Sequence, residues 1–163
     1  MASDKLDVFE GMEGSDLIQD TFLFKQLAFD EAAKLAGHFK ERKYGAGDHI
    51  IEENALGDGL YIIKKGKVKV VKSDGKGEQL LVELGEGELV GEMSLIEAQL
   101  TSASVVAKGK VECLVLSRSD LDRMMKDSPA FALKVYVAFC HVLSERLRRT
   151  SQELFELRQS KGA

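Results

Sequence analysis

Ten of the chain's fifteen glycines fall between Gly45 and Gly91, and their spacing restricts the fold more than any other feature. They punctuate short strand-like runs at intervals of roughly 8–12 residues. Leu60-Tyr61-Ile62-Ile63 reads as a short buried run, and Lys65 to Val70 alternates lysine with small or apolar residues. Such alternation suits a strand with one wet face. Ser73-Asp74-Gly75-Lys76-Gly77 carries hairpin-turn chemistry ahead of a strand over Leu80 to Leu84. Val105 to Ala107 and Val111 to Leu116 read as closing strands. Many short strands with glycine corners predict a mainly β fold, a jelly-roll sandwich.

Helical signals flank this region. From Ser15 to Lys43 the pattern is helical: Phe22, Phe24 and Leu27 precede Asp30, an expected N-cap, and Ala33, Ala36 and Phe39 follow on roughly one face. Ser117 with Asp120 resembles a capping box, and Ser128-Pro129 reads as an N-cap with proline at the first helical position. The chain's one proline is Pro129, so a single helix is expected from about Pro129 to about Gln159. The expected organisation is a disordered tail over residues 1–14, a β-roll with N-terminal helices over 15–127, and a terminal helix over 128–160.

That helix carries a second pattern. Leu133, Tyr136, Cys140, Leu143, Leu147, Thr150, Leu154 and Leu157 occupy a and d positions of one heptad register. Glu153 at g can reach Arg158 at the following e of a parallel partner, while Ala132, Val135, Phe139 and Val142 form a neighbouring face that could pack on the sandwich. One wide stripe docked on its own domain is the alternative. The late part, from Leu147 to Leu157, is hardest to bury without a partner, which favours a homodimer.

The composition excludes several classes. Net charge is −4, and no block of Lys and Arg resembles a nucleic-acid footprint. Lys64, Lys65, Lys67, Lys69 and Lys72 read as a solvated strand face. No apolar run is long enough to span a membrane, and the first fourteen residues are acidic rather than signal-like, so a cytoplasmic location is expected. His38, His49 and His141 stand apart, against a metal-binding cupin, the nearest jelly-roll alternative. Cys113 and Cys140 read as core thiols. No catalytic constellation stands out, and no enzyme activity is expected.

Gly91-Glu92-Met93-Ser94 opens a short helical turn after a glycine-rich segment. Helix-start amides can hold an anion, and a carboxylate can accept a hydrogen bond from a ribose hydroxyl. Taken with Tyr44-Gly45-Ala46-Gly47-Asp48-His49-Ile50, Gly57-Asp58-Gly59-Leu60-Tyr61-Ile62-Ile63, Lys65-Gly66-Lys67-Val68, Gly85 to Leu95, Ser102-Ala103 and Cys113-Leu114-Val115-Leu116, this stretch resembles the cyclic nucleotide-binding domain family. The resemblance runs from about Phe22 to Arg149. It implies a β-roll with helices at both ends and a nucleotide, cAMP or cGMP, held against the roll. It also implies that Gly91 admits the ligand, Glu92 accepts from the ribose 2′-hydroxyl, Met93 and Ser94 offer amides, and Ser102 beside Ala103 donates to the phosphate.

Thr101 stands where the family carries an arginine, and Leu100 where it carries a proline. No arginine lies between Arg42 and Arg118. Losing one partner of a buried ion pair costs about 3–5 kcal/mol, which is about two to four decades of affinity. Lys108 or Lys110 could swing in, though nothing in the sequence places either. A shorter match, Arg146 to Ser151, resembles the dimer helix of catabolite activator proteins, where a Thr-Ser pair corresponding to Thr150-Ser151 contacts adenine. Thr150 also fills a heptad position.

These residues lead to a stand-alone regulatory sensor module, with weak or atypical cyclic nucleotide binding coupled to the terminal helix. The alternative is a sensor of another small molecule, or a constitutive dimerisation and docking protein. Family transcription factors carry a helix-turn-helix after the dimer helix; none is read before Ala163, so no direct nucleic-acid contact is expected. Output is expected through dimer geometry or a protein effector in trans.

Overall fold

The computed structural model describes residues 21–97 and 99–162, so the expected tail over residues 1–14 lies outside the described residues. Two short helices, α1 (Phe22–Lys25) and α2 (Phe29–Ala36), lead into strands β1 (Lys40–Tyr44), β2 (His49–Ile51), β3 (Gly59–Lys65), β4 (Val68–Ser73), β5 (Glu78–Leu84) and β6 (Leu89–Val90). A one-and-a-half-turn helix α3 (Glu92–Glu97) follows, then β7 (Ser104–Ala107), β8 (Val111–Ser117), α4 (Arg118–Asp127) and the long α5 (Pro129–Lys161). The strands form two four-stranded sheets, ordered β1-β8-β3-β6 and β2-β7-β4-β5. All pairings are antiparallel, the jelly-roll architecture that the glycine spacing predicts.

The first sheet is covered on both faces, which explains its unbroken apolar runs. Along β3, Leu60 and Ile62 join the helices in one core, while Tyr61 and Ile63 face the second sheet in the other. Leu114 and Leu116 of β8 divide from Cys113 and Val115 in the same way. A strand buried on both sides has no polar alternation to show. Burial raises the Cys113 thiol to about 12, so it is a core thiol. Cys140, expected in the core as well, is exposed.

Several local expectations are corrected. The N-cap of α2 is Ala28, and Asp30 sits inside the first turn; the Glu31 carboxylate accepts from the Ala28 amide instead. Ala32, Leu35, Ala36 and Phe39 form the buried face, and Ala33 is exposed. Residues 40–43 are strand, not helix. Their charged sequence suits an edge strand, and pairing with β8 rather than local propensity decides their conformation. Lys65 to Val70 is not one strand: β3 ends at Lys65, and Gly66, at φ +94°, turns the chain into β4. Lys64 is buried, not solvated, its Nζ donating to Glu41 Oε2 at 3.0 Å with Glu112 at 3.9 Å. The histidines are not isolated either: His49 lies 3.0 Å from Glu52, His38 lies 3.8 Å from Asp120, and His141 stacks on Phe22.

Both predicted N-caps form, though at Ser117 the reciprocal half of a capping box does not: its hydroxyl donates to Asp120 Oδ2 at 2.7 Å. Ser117 Oγ accepts from the Asp120 amide at 3.2 Å, and Ser128 Oγ from the Phe131 amide at 3.2 Å, with Pro129 at the first helical position. In α5, Phe131, Val135, Ala138, Phe139 and Val142 are buried, packed chiefly with α1 and α4 in the helical core rather than directly on the strands. Leu133, Tyr136, Leu147, Leu154 and Leu157 are exposed. The heptad face and the docking face are therefore separate, as the two sequence patterns require.

Candidate functional site

A cavity of about 390 Å³ lies between the second sheet, the α3 turn and the terminal helix. Ligand sites commonly fall in the range of about 300–1,000 Å³. Its floor is apolar, from Ile51, Val70, Val82, Leu84, Val90 and Val105. The β4–β5 register shifts between Val70 opposite Val82 and Val71 opposite Leu80, leaving Leu81 as the extra residue of a bulge. A bulge re-aims its side chain, and Leu81 joins the cavity wall.

Gly91, Glu92, Met93, Ser94, Thr101, Ser102 and Ala103 all line this cavity, and Thr150 lines it from the helix side. The fold thus brings together residues up to 59 positions apart; Ser151 does not line the cavity. Gly91 has φ +93°, and a Cβ there would lie 2.5 Å from the Gly59 carbonyl oxygen, so glycine is required. Ser94 Oγ donates to the Gly91 carbonyl at 3.2 Å and closes the turn. Ser102 is exposed, its hydroxyl 3.9 Å from Met93 Sδ.

Thr101 is buried and its hydroxyl is engaged. It donates to the Glu52 carbonyl, lies 3.3 Å from the Ala55 carbonyl and accepts from the Ala55 amide at 3.0 Å, fastening the β2–β3 loop to the stretch over residues 91–103, the cassette. Leu56 and Leu100 bridge the same segments. Thr101 therefore holds the frame of the cavity.

Glu92 is 1% exposed. Arg146 of α5 donates one guanidinium nitrogen to Glu92 Oε1 and another to the Leu89 carbonyl. The other carboxylate oxygen, Glu92 Oε2, is buried with no hydrogen-bond partner among the described residues. A buried carboxyl group needs hydrogen-bond partners, since leaving one of its oxygens unpaired is costly. Three residues on, Arg149 also lines the cavity, with Glu88 Oε1 3.5 Å from its guanidinium. Lys108 does not swing in; it is paired with Glu83 at 2.7 Å. Lys110 does not line the cavity either.

The roles of Arg146 and Arg149 were not read from the sequence. Both lie in a segment noted only for Thr150-Ser151, and no motif spacing links position 146 to position 92. The usable signal was the heptad register, which puts Arg146 and Arg149 off the a/d seam and on the flank nearer the docking face. Arg118 was missed too: it donates to the carbonyls of Gly57 at 3.4 Å and Ser94 at 3.3 Å and braces the turn from outside.

Among the described residues, no group of three or more His, Cys, Asp or Glu is arranged to hold a metal ion. Among the same residues no helix is long and apolar enough to cross a membrane.

The cyclic nucleotide-binding domain model matches residues 41–128, more than half of the sequence, and the chain belongs to that family. It is similar to the cyclic AMP receptor protein of Thermus thermophilus, 36% identical over 133 residues that make up 81% of this chain and 60% of that protein. It is also similar to a cGMP-dependent protein kinase of Drosophila melanogaster, 33% identical over 71% of this chain but only 13% of the kinase. The chain thus spans from about an eighth to three fifths of these relatives, and the matched region is regulatory by family.

Among solved structures, a cyclic nucleotide-binding domain from Methylobacillus flagellatus superposes with a TM-score of 0.77 at 28% identity, covering 94% of this chain and 85% of that one. The regulatory subunit of a cAMP-independent protein kinase A from Trypanosoma brucei superposes at 0.66, with 28% identity, over 99% of this chain and 54% of that one. A triple mutant of that subunit, one of whose changes is threonine to arginine, is known bound to cAMP in its A site.

Proposed function

We propose that this chain is a regulatory sensor that takes a cyclic nucleotide in the cavity beside Glu92, with weak affinity, and reports occupancy through its terminal helix. One observation carries the reading: Glu92 Oε2 is a buried acceptor without a donor, in a cavity lined by the cassette. An unsatisfied buried acceptor costs about 1–3 kcal/mol, and a ribose hydroxyl is a donor of the right kind. Relatives that respond to cAMP and cGMP support the ligand class. The absence of a cassette arginine supports weak binding, because the Thr101 hydroxyl is already engaged with the loop.

Coupling follows from the ion pair. Arg146 belongs to α5, and a ligand that bonds Glu92 must share that carboxylate with it. Occupancy then shifts the population of helix positions. The exposed stripe of Leu133, Tyr136, Leu147, Leu154 and Leu157 supports a homodimer through α5, with a protein effector in trans as the recipient of the signal.

Calorimetric titration with cAMP and cGMP tests the reading. A dissociation constant of about 10–1,000 μM is expected, given the decades lost with the arginine. Glu92→Gln, which keeps shape but removes the charge, should abolish the heat. No heat from either nucleotide at 5 mM, about five times the weakest affinity expected, would sink the proposal. That outcome favours the second reading, a sensor of another small molecule or a constitutive docking protein. The likeness to a cAMP-independent regulatory subunit is what keeps that second reading open.

A further inference from the structure

Among the described residues, the cationic side chains that line the cavity, Arg146 and Arg149, both come from the terminal helix. The β-roll and the α3 turn contribute Glu92, hydroxyls, amides and apolar side chains, whereas Arg146 and Arg149 come from α5. Two lysines of the roll lie outside the cavity lining, each with partners of its own. Lys108 is paired with Glu83, and Lys72 donates to the Ser102 carbonyl at 3.2 Å and lies 4.0 Å from Glu53, outside the cavity.

The charges at the site are unequal in freedom. Arg146 is tied through two nitrogens, one on buried Glu92 and one on the Leu89 carbonyl, and neutralises that carboxylate. Arg149 is less held: its one ion pair, with Glu88, is 3.5 Å long and its side chain is 42% exposed. Exposed pairs of this sort hold a side chain weakly. One turn of helix separates the two arginines, so they lie on one face. Glu153, the next residue on that face, also lines the cavity and limits which anions fit beside Arg149.

We infer that the terminal helix, not the roll, supplies the countercharge for a bound phosphate, through Arg149, with Arg146 holding Glu92 ready beside it. This rests on the reading that the cavity takes a cyclic nucleotide. A single anionic phosphate then balances Arg149 as Glu92 balances Arg146. Neutralising the ligand and closing the helix over it become one event, because the charge sits on the moving element. Where an arginine is fixed in the cassette, the two can occur separately. By linkage, anything that docks α5 more firmly raises nucleotide affinity by the same factor that nucleotide raises docking.

The test uses the full chain as wild type, R149Q, R146K, T101R and the double variant T101R/R149Q. Each is titrated with cAMP and cGMP, and amide hydrogen exchange is followed over residues 143–157. R149Q should bind at least about tenfold more weakly, the loss of one charge-assisted contact. Its melting temperature should be unchanged, since Arg149 packs little. R146K keeps the charge without the fork and should weaken binding less than R149Q does. T101R/R149Q should regain affinity from its new cassette cation, yet nucleotide should no longer protect residues 143–157 from exchange. In wild type, nucleotide should protect them.

R149Q binding within twofold of wild type overturns the inference and leaves the nucleotide reading intact. A wild type that gives no heat while T101R does overturns both, since the helix cations are then no substitute. Silence from all five proteins overturns the inference and the nucleotide reading together.

Discussion

Thr101 serves structure at the wall of the cavity. Its hydroxyl joins the Glu52 and Ala55 carbonyls and the Ala55 amide across a gap of nearly fifty residues. Thr101→Val keeps the volume but leaves the Ala55 amide without an acceptor. Leaving a buried polar group unpaired costs about 1–3 kcal/mol. The expected result is a lower urea midpoint with unchanged slope, and a melting temperature down by about 2–4 °C per kcal/mol for a chain of this size. An unchanged midpoint would show that the loop anchor is dispensable. This bond network was not legible in the sequence. The missing arginine could be read directly from the 42-to-118 gap, but the threonine's new partners lie in a loop that no periodicity describes. Lys64 is a similar case. Its position among other lysines reads as a wet face, and only pairing of β1 and β3 with β8 brings Glu41 and Glu112 to it.

At the scale of elements, the docking of α5 depends on both a buried face and a peripheral ion pair. Lys134 Nζ lies 2.5 Å from Glu31 Oε2, tying the terminal helix to α2. That hydrogen bond, joined by the Ala28 amide and opposed by burial, holds the Glu31 carboxyl below its ordinary value of 4.5. A carboxylate whose folded pKa is depressed stabilises the native state above its unfolded pKa. That contribution is lost as pH falls through the lower, folded value. Stability of wild type should therefore decline below about pH 4.5 more steeply than that of Glu31→Gln, in urea melts between pH 3 and pH 7. At pH 7 the substitution should cost about 1 kcal/mol or less, since both side chains are partly exposed and screened. Parallel pH curves for the two proteins would remove the pair from the account. Elements themselves were largely legible. Glycines bounded the strands, and the Ser117 and Ser128-Pro129 signals set the starts of α4 and α5. Residues 40–43 were misread because a charged edge strand owes its conformation to its partner.

For the whole molecule, the second half of α5 poses the sharpest question. From Leu143 to Gly162 no residue is fully buried, although Leu147, Leu154, Phe155 and Leu157 are large and apolar. Most helices in proteins gain their stability from packing an amphipathic face. Only Arg146, Arg149, Thr150 and Glu153 of this half meet the cavity. A second copy of the chain, seated on the heptad seam, would supply the missing packing. It would also steady the same turns that carry the two arginines. Association and ligand binding are then linked, and each should strengthen the other. The variant L147D/L154D places like charges along the seam without touching a residue that lines the cavity. Sedimentation equilibrium should show dimer for wild type and monomer for the variant at about 50 μM, where a micromolar dimer is mostly associated. The monomeric variant should also bind nucleotide more weakly, with faster amide exchange over residues 143–157. A variant that stays dimeric would move the interface off α5. A monomeric variant with unaltered affinity would instead mean that α5 docks on its own roll firmly enough to position Arg149 without help, confining the coupling to one protomer.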